Sequence, residues 1–199
     1  MTADPRLTHP LLVQLAAALA VHPGAPAEDD GAPARAAVAI TLRPADEGVD
    51  LLLIRRAERA GDPWSGQIAL PGGRWSPNDE SLLHTAMRET WEETGVDLAG
   101  QGVVLGTLDE LRPRTAALPA IIVTPVVVAL DRPVTLLPSD EVAEAFWVPL
   151  DLLRAPETSR ESQVRVRGAT WKVPSFVVRE HVVWGMTERI LRQLLSRLG

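Results

Sequence analysis

The chain has 199 residues, carries 26 acidic against 20 basic side chains, and has a formal net charge of −6 with a pI near 5.3. That length suffices for one well-buried domain, and the acidic balance argues against nucleic acid or an anionic membrane as the main partner. With no cysteine, disulfides, thiolate metal sites and a cysteine nucleophile are excluded.

Leu11, Leu12, Leu15 and Leu19 recur at helical spacing within residues 9–27, which predicts an amphipathic helix packed on the domain. As a secretory leader the stretch is poor: Asp4 and Arg6 stand where a basic lead belongs, and Gln14 interrupts the apolar run. No apolar run reaches the roughly 18 residues of a membrane span. The expected location is therefore cytoplasmic, with no membrane partner. Residues 22–35, rich in Pro, Gly and acidic side chains, read as a flexible connector. Residues 1–35 are thus expected as helix plus connector, and 36–199 as a single domain.

Residues 36–44 and 50–57 read as strands joined by the turn 45–48. A loop over 58–66 leads to a short strand at 67–70 and a turn at 71–73. The pattern then predicts a helix of roughly fifteen residues from about Glu80, capped by Asp79 or Asn78, with Gly95 in the left-handed terminal position. Further strands are expected over 102–111, 120–130 and 144–150, with 137–145 as a loop or short helix. A C-terminal helix over 182–199 has Val183, Met186, Ile190, Leu191, Leu194, Leu195 and Leu198 on one face. Intermixed strands and helices predict an α/β chain, mixed α+β in detail, whose mixed sheet is covered by helices on both faces.

Glu89, Glu92 and Glu93 share a face of the predicted acidic helix, with Arg88 one turn from Glu92. A solvated charged face with an Arg88–Glu92 pair is one reading. Like charges one turn apart repel, however, and a hard divalent cation such as Mg²⁺ reverses that repulsion. The four histidines, at 9, 22, 84 and 181, are too scattered for a zinc cluster. The full pattern E-x7-R-E-x-x-E-E-x-G, from Glu80 to Gly95, would arise by chance with odds on the order of one in 10⁵. Basic charge is almost all arginine, Lys172 being the only lysine, which suits phosphate binding and equally a codon bias.

These residues resemble the Nudix hydrolase box, G-x5-E-x7-R-E-U-x-E-E-x-G-U with U aliphatic. Glu80, Arg88, Glu89, Glu92, Glu93, Gly95 and Val96 match; Arg74 stands where the first Gly belongs, so Gly73 gives a spacing of six, and Thr90 replaces an aliphatic. The resemblance implies an α-β-α sandwich and hydrolysis of a diphosphate joining a nucleoside to some group X, with Mg²⁺ or Mn²⁺ as cofactor. It implies Glu89 and Glu93, then Glu92, as metal ligands, with a peptide carbonyl at Gly73 and Gly72 beside it. Arg88 would orient the carboxylates, and Glu80 would support the loop–helix junction. Glu89 and Glu92 are the box candidates for catalysis. Among the distal carboxylates Asp140, Glu141 and Glu144, Glu141 is chosen as base. A Nudix-fold binding module without catalysis would have damaged carboxylates, whereas all four glutamates are intact here. A homodimer is common among relatives, but no stretch marks an interface.

Residues 51–73 and 182–191 are similar to segments of the coenzyme A diphosphatases, with Leu70 in place of a Phe and Arg56-Ala57 near an expected Arg-Ser. Coenzyme A carries a 3′-phosphate, for which Arg55, Arg56, Arg59, Arg112 and Arg114 are the candidate cations. NDP-sugars, ADP-ribose, dinucleoside polyphosphates and nucleoside triphosphates remain alternative substrates. Trp64, Trp75 and Trp91 flank the expected site, while Trp147, Trp171 and Trp184 are expected in the core.

Overall fold

Strand residues with apolar side chains on both faces need cover on both sides, and that requirement organises this chain. The computed structural model describes residues 4–29, 31, 34–61, 64–113, 120–166 and 168–198. β1 (Ala34–Ala45), β2 (Gly48–Arg56), β3 (Ile68–Ala69), β4 (Gly72–Arg74), β5 (Gly102–Thr107), β6 (Ile121–Leu130) and β7 (Val142–Pro149) form one sheet in the order β3-β2-β1-β6-β5. β4 pairs with β1 and β7 with β2 off that path. The β1–β6 pair is parallel and the other pairs are antiparallel, so the sheet is mixed.

Alternate residues divide between the two faces. Ile40, Leu42, Leu51, Leu53 and Val127 pack in one cluster with Leu12, Leu15 and Leu19 of α1 (Pro10–Val21) and with Ile190, Leu191 and Leu194 of α5 (Gly185–Ser196). Ala37, Ala39, Leu52, Val126 and Val128 pack in the other with Ala86 of α2 (Leu82–Thr94). Each fully buried leucine contributes about 1.5–3 kcal/mol relative to exposure, so α1 is anchored rather than appended. The result is the predicted three-layer sandwich. Among the described residues no helix is long and apolar enough to cross a membrane.

Several local expectations are corrected. α2 begins at Leu82, and its cap is Ser81, whose Oγ accepts from the His84 N–H at 3.1 Å; neither Asp79 nor Asn78 caps it. Gly95 ends it as expected, at φ 71°. The connector is not loose over residues 24–27: the Gly24 N–H donates to the Thr107 carbonyl and the Ala27 N–H to Glu110. Residues 71–73 are more than a turn, because Gly72–Arg74 pairs with Ala36–Val38 of β1. β5 ends at Thr107, beyond which Leu111 keeps one bridge to Val123.

After α3 (Leu98–Gln101) and α4 (Leu150–Arg154), a second sheet appears that the sequence analysis did not assign. It comprises β8 (Ser159–Val166), β9 (Ala169–Val178) and β10 (His181–Trp184), so residues 182–184 are strand rather than the start of the last helix.

Candidate active site

α2 packs on β1 through Ala86 and sets Glu89 and Glu93 against β4. Arg88 is the hub of that face. Its Nε and Nη2 donate to the two carboxylate oxygens of Asp79 at 2.8 and 2.9 Å, while Nη1 donates to Glu89 at 2.9 Å and Glu92 at 3.0 Å. Nη2 also reaches the Arg74 carbonyl at 3.3 Å. Asp79 is buried and further accepts from the Ser76 N–H and the Thr85 hydroxyl. The fork from Arg88 holds the Asp79 carboxyl far below the ordinary range.

Asp79 is the residue sequence reasoning missed. The junction role was given to Glu80, but that side chain is exposed, and the fork from Arg88 goes to Asp79 instead. The signal was present: Gly73 and Asp79 keep the family's five-residue interval between glycine and acid. The extra residue therefore lies between the acid and Arg88, not ahead of the acid. Thr90 is equally well accommodated, since its buried hydroxyl donates to the Ala86 carbonyl at 2.7 Å.

Two glycines bring strand and carboxylates together. Gly72 has φ 152°, and a Cβ there would lie 2.3 Å from the Ala37 carbonyl oxygen. Its N–H donates to Glu93 at 2.9 Å. A Cβ on Gly73 would meet the Glu89 carboxylate at 2.4 Å. Gly73→Ala is therefore expected to displace Glu89 and lower turnover about 10- to 100-fold, with little change in melting temperature because the obstructed atoms end a flexible side chain. Steady-state kinetics beside a thermal melt checks this.

Burial first, then the charges of Glu89 and Glu141, pushes the Glu93 carboxyl up to about 7, against the opposing pull of the Gly72 N–H and Arg56. Burial likewise raises Glu89. The geometry thus gathers Glu89, Glu93, Gly72 and Gly73, with Glu141 close enough to act on Glu93. Glu92 is half exposed on the Arg88 side.

Glu93, Gly72 and Gly73 line a cavity of about 760 Å³, together with Arg56 and Arg74. Of the predicted substrate arginines, Arg56 faces that cavity. Arg55 pairs with Glu144 at 3.5 Å and Arg59 with Glu141 at 3.2 Å. Arg112 donates to the Pro113 carbonyl, and Pro113 lines the cavity. Arg114 lies outside the described residues. Trp64 and Trp184 line the cavity, Trp75 and Trp91 are exposed, and Trp147 lies under Arg43 at 4.1 Å. Trp171 corrects the core expectation: it is 59% exposed, in the exposed stretch 169–172 at the start of β9.

Among the described residues no three carboxylates or histidines already converge as a metal cage; Arg88 engages Glu89 and Glu92. The donor set nevertheless fits a hard, oxygen-seeking cation, because it consists of oxygen donors alone: the buried Glu93 carboxylate, the Glu89 carboxylate packed against Gly73, and the backbone of the Gly72–Gly73 strand. A sandwich with clustered carboxylates on one helix, against a Gly-Gly strand at a cavity mouth, defines the class of phosphoric-anhydride hydrolases.

Comparison with known proteins narrows that class. The NUDIX domain family model matches residues 32–166. A Nudix hydrolase NudL of Photorhabdus laumondii is 35% identical over 150 residues, covering 74% of this chain and 76% of that protein. The Yersinia pestis (strain Pestoides F) NudL is 31% identical over 150 residues, covering 75% and 72%. Schizosaccharomyces pombe protein C14C4.10c is 38% identical over 132 residues, and this chain spans only 40% of its length. Among solved structures, a MutT/nudix family protein from Enterococcus faecalis superposes with a TM-score of 0.54 at 19% identity, covering 87% of this chain and 70% of that one. Mycobacterium smegmatis RenU superposes with a TM-score of 0.50 at 26% identity, covering 63% and 79%. The chain belongs to the Nudix family and is a Nudix-type diphosphatase.

Proposed function

We propose that the substrate is coenzyme A or a CoA derivative, cleaved at its diphosphate to 3′,5′-ADP and the corresponding phosphopantetheine. The observation that carries this reading is the cavity that opens from Glu93. Beyond Arg56 and Arg74 its walls are mostly apolar, among them Val38, Ile54, Leu70 and Ile190. A sugar or second nucleoside would leave polar groups unpaired on such walls, whereas a pantetheine arm carries methyl and methylene groups to them. The likeness of residues 51–73 to the CoA diphosphatases supports the same choice.

In this reading residues 36–199 form the catalytic domain and α1 buttresses it. Glu89, Glu93, Glu92 and the Gly73 carbonyl would hold Mg²⁺ or Mn²⁺, which when bound neutralises diphosphate oxygens and acidifies water. Arg88, fixed by Asp79, keeps Glu89 and Glu92 in register with the strand. Arg56 and Arg74 attract the diphosphate into the cavity mouth. Glu141 accepts the proton of the attacking water as one phosphorus gains that oxygen and loses the bridging one. Both distal carboxylates are ion-paired, Glu141 with Arg59 and Glu144 with Arg55, and Glu141 is preferred as base because its charge reaches Glu93.

The test is a panel of CoA, ADP-ribose, NDP-sugars, dinucleoside polyphosphates and nucleoside triphosphates with Mg²⁺ or Mn²⁺, products being separated by chromatography. The highest kcat/KM is expected on CoA or its derivatives. Cleavage of ADP-ribose or NDP-sugars alone would defeat the substrate assignment while leaving the family chemistry intact.

A further inference from the structure

β8 is the outer edge of the three-stranded sheet, and among the described residues β9 is its only strand neighbour. Pro174 of β9 has no N–H to give, so the Glu161–Pro174 pair is of the kind whose backbone groups point away from the partner strand. The adjacent Arg160 carbonyl points inward, accepting from the Ser175 hydroxyl at 2.9 Å. With a period of two, the backbone N–H and C=O groups of Glu161, Gln163 and Arg165 therefore face outward along the edge. All three residues are exposed.

An open edge is a template for another strand, and charges along it ordinarily discourage pairing. Here the two charges have opposite signs and stand symmetrically, two residues to either side of Gln163. Among the described residues neither Glu161 nor Arg165 has an ion-pair partner within the chain. A second copy laid antiparallel about a twofold axis at Gln163 places Gln163 against its own equivalent and Glu161 against Arg165 twice. These are the very residues whose backbone groups face outward, so ladder hydrogen bonds and charge pairs select the same register. An axis at Ser162 or Val164 would oppose Gln163 to Glu161 or to Arg165, with no charge pair. An axis at Glu161 or Arg165 would oppose like charges.

We propose that the outer edge of β8 is a homodimer interface, in which two copies pair antiparallel about Gln163 and Glu161 of each faces Arg165 of the other. Two three-stranded sheets thereby become one of six strands. Val166, Ala169, Trp171 and Val173 of the hairpin line the active-site cavity, so the joined sheet carries part of the cavity wall of both copies. The interface is independent of the substrate assignment.

Sedimentation equilibrium of the full chain is expected to give twice the 21.5 kDa of one chain. Glu161→Arg and Arg165→Glu each set like charges opposite one another at two points and are expected to weaken association at least about tenfold. Combining the two exchanges restores opposite signs and should restore the dimer. Within the hairpin these positions pair with Pro174 and Thr170, so the thermal melts of the variants should resemble that of wild type at equal dimer content. Gln163→Pro removes an outward N–H while sparing the ladder to β9, and is expected to give a monomer. The chain has no cysteine, so Gln163→Cys supplies one thiol on the axis, about 5.5 Å between Cα atoms from its equivalent and within disulfide reach. Mild oxidation should join that variant covalently, and should not join Lys172→Cys, one strand further in. A wild-type chain that stays at 21.5 kDa at every concentration overturns the interface. So does a dimer indifferent to Gln163→Pro and to both single charge exchanges. A double exchange that fails to restore what the single ones break, or a dimer that gives no cross-link through Gln163→Cys, refutes the axis at Gln163.

Discussion

Glu93→Gln is expected to lower kcat by about 10²- to 10³-fold while leaving the protein folded and, above neutral pH, more stable. The two effects have one cause. Glu93 is a buried carboxylate that accepts a hydrogen bond from the Gly72 N–H at 2.9 Å, and burial raises its carboxyl from 4.5 to about 7. A group with a raised folded-state value contributes stability that is fully present below its unfolded value and lost as pH rises through its folded one. In chelator, the melting temperature of wild type should therefore decline between about pH 4.5 and 7. Glutamine cannot ionise, so the variant should show a flatter profile over that window. Mg²⁺ or Mn²⁺ should restore wild-type stability at pH 8, since a ligand that binds only the folded state stabilises it by mass action, and should not restore the variant. A variant that retains full turnover, or a wild-type melt indifferent to both pH and metal, would contradict the role given to Glu93.

Asp79→Ala should cost about 3 kcal/mol and lower turnover about 10- to 100-fold. The substitution strips Arg88 of its two-pronged partner and leaves the Ser76 N–H and the Thr85 hydroxyl without their shared acceptor. For a domain of this size that energy corresponds to a fall in melting temperature of about 6–12 °C. The sign of the pH dependence is opposite to that of Glu93. A depressed carboxyl stabilises above its unfolded value, 3.8, and that stability is lost as pH falls below it. The gap between wild type and Asp79→Ala should thus stay constant above about pH 4 and begin to narrow only below 3.8, as read from melts carried into the acid range. Glu80→Gln, at the exposed neighbour, should shift stability by less than about 0.5 kcal/mol. The opposite ranking of these two variants would return the junction role to Glu80.

Much of the architecture was legible locally. The apolar runs of β1, β2 and β6 are continuous enough to demand a sheet covered on both faces, and the spacing of Ile190, Leu191 and Leu194 marks a helix with one buried side. The box residues could be placed on α2 because helical periodicity alone decides that Glu89 and Glu93 share a face. The hairpin carried an equally plain signal, the alternation of Gln163-Val164-Arg165-Val166 and Thr170-Trp171-Lys172-Val173 about Gly168. Such alternation says that one face is apolar, not what covers it. Trp171 was accordingly placed in the core by its chemistry, whereas it lies in the exposed stretch 169–172.

By itself, the sequence determined the class of chemistry: three glutamates and an arginine at helical intervals, Glu89, Glu92, Glu93 and Arg88, specify which charges must lie together whatever the rest of the chain does. Only the tertiary structure decided what holds them. The pairing of β4 with β1 brings Gly72 and Gly73 under α2, the loop before α2 returns Asp79 to Arg88, and at the register shift between Arg55 and Arg56 of β2, Arg56 lines the cavity while Arg55 pairs with Glu144. Each of these contacts joins residues from different elements or from opposite sides of one strand. Local periodicity sets the face a residue occupies, but the neighbour on that face is chosen by strand pairing and packing.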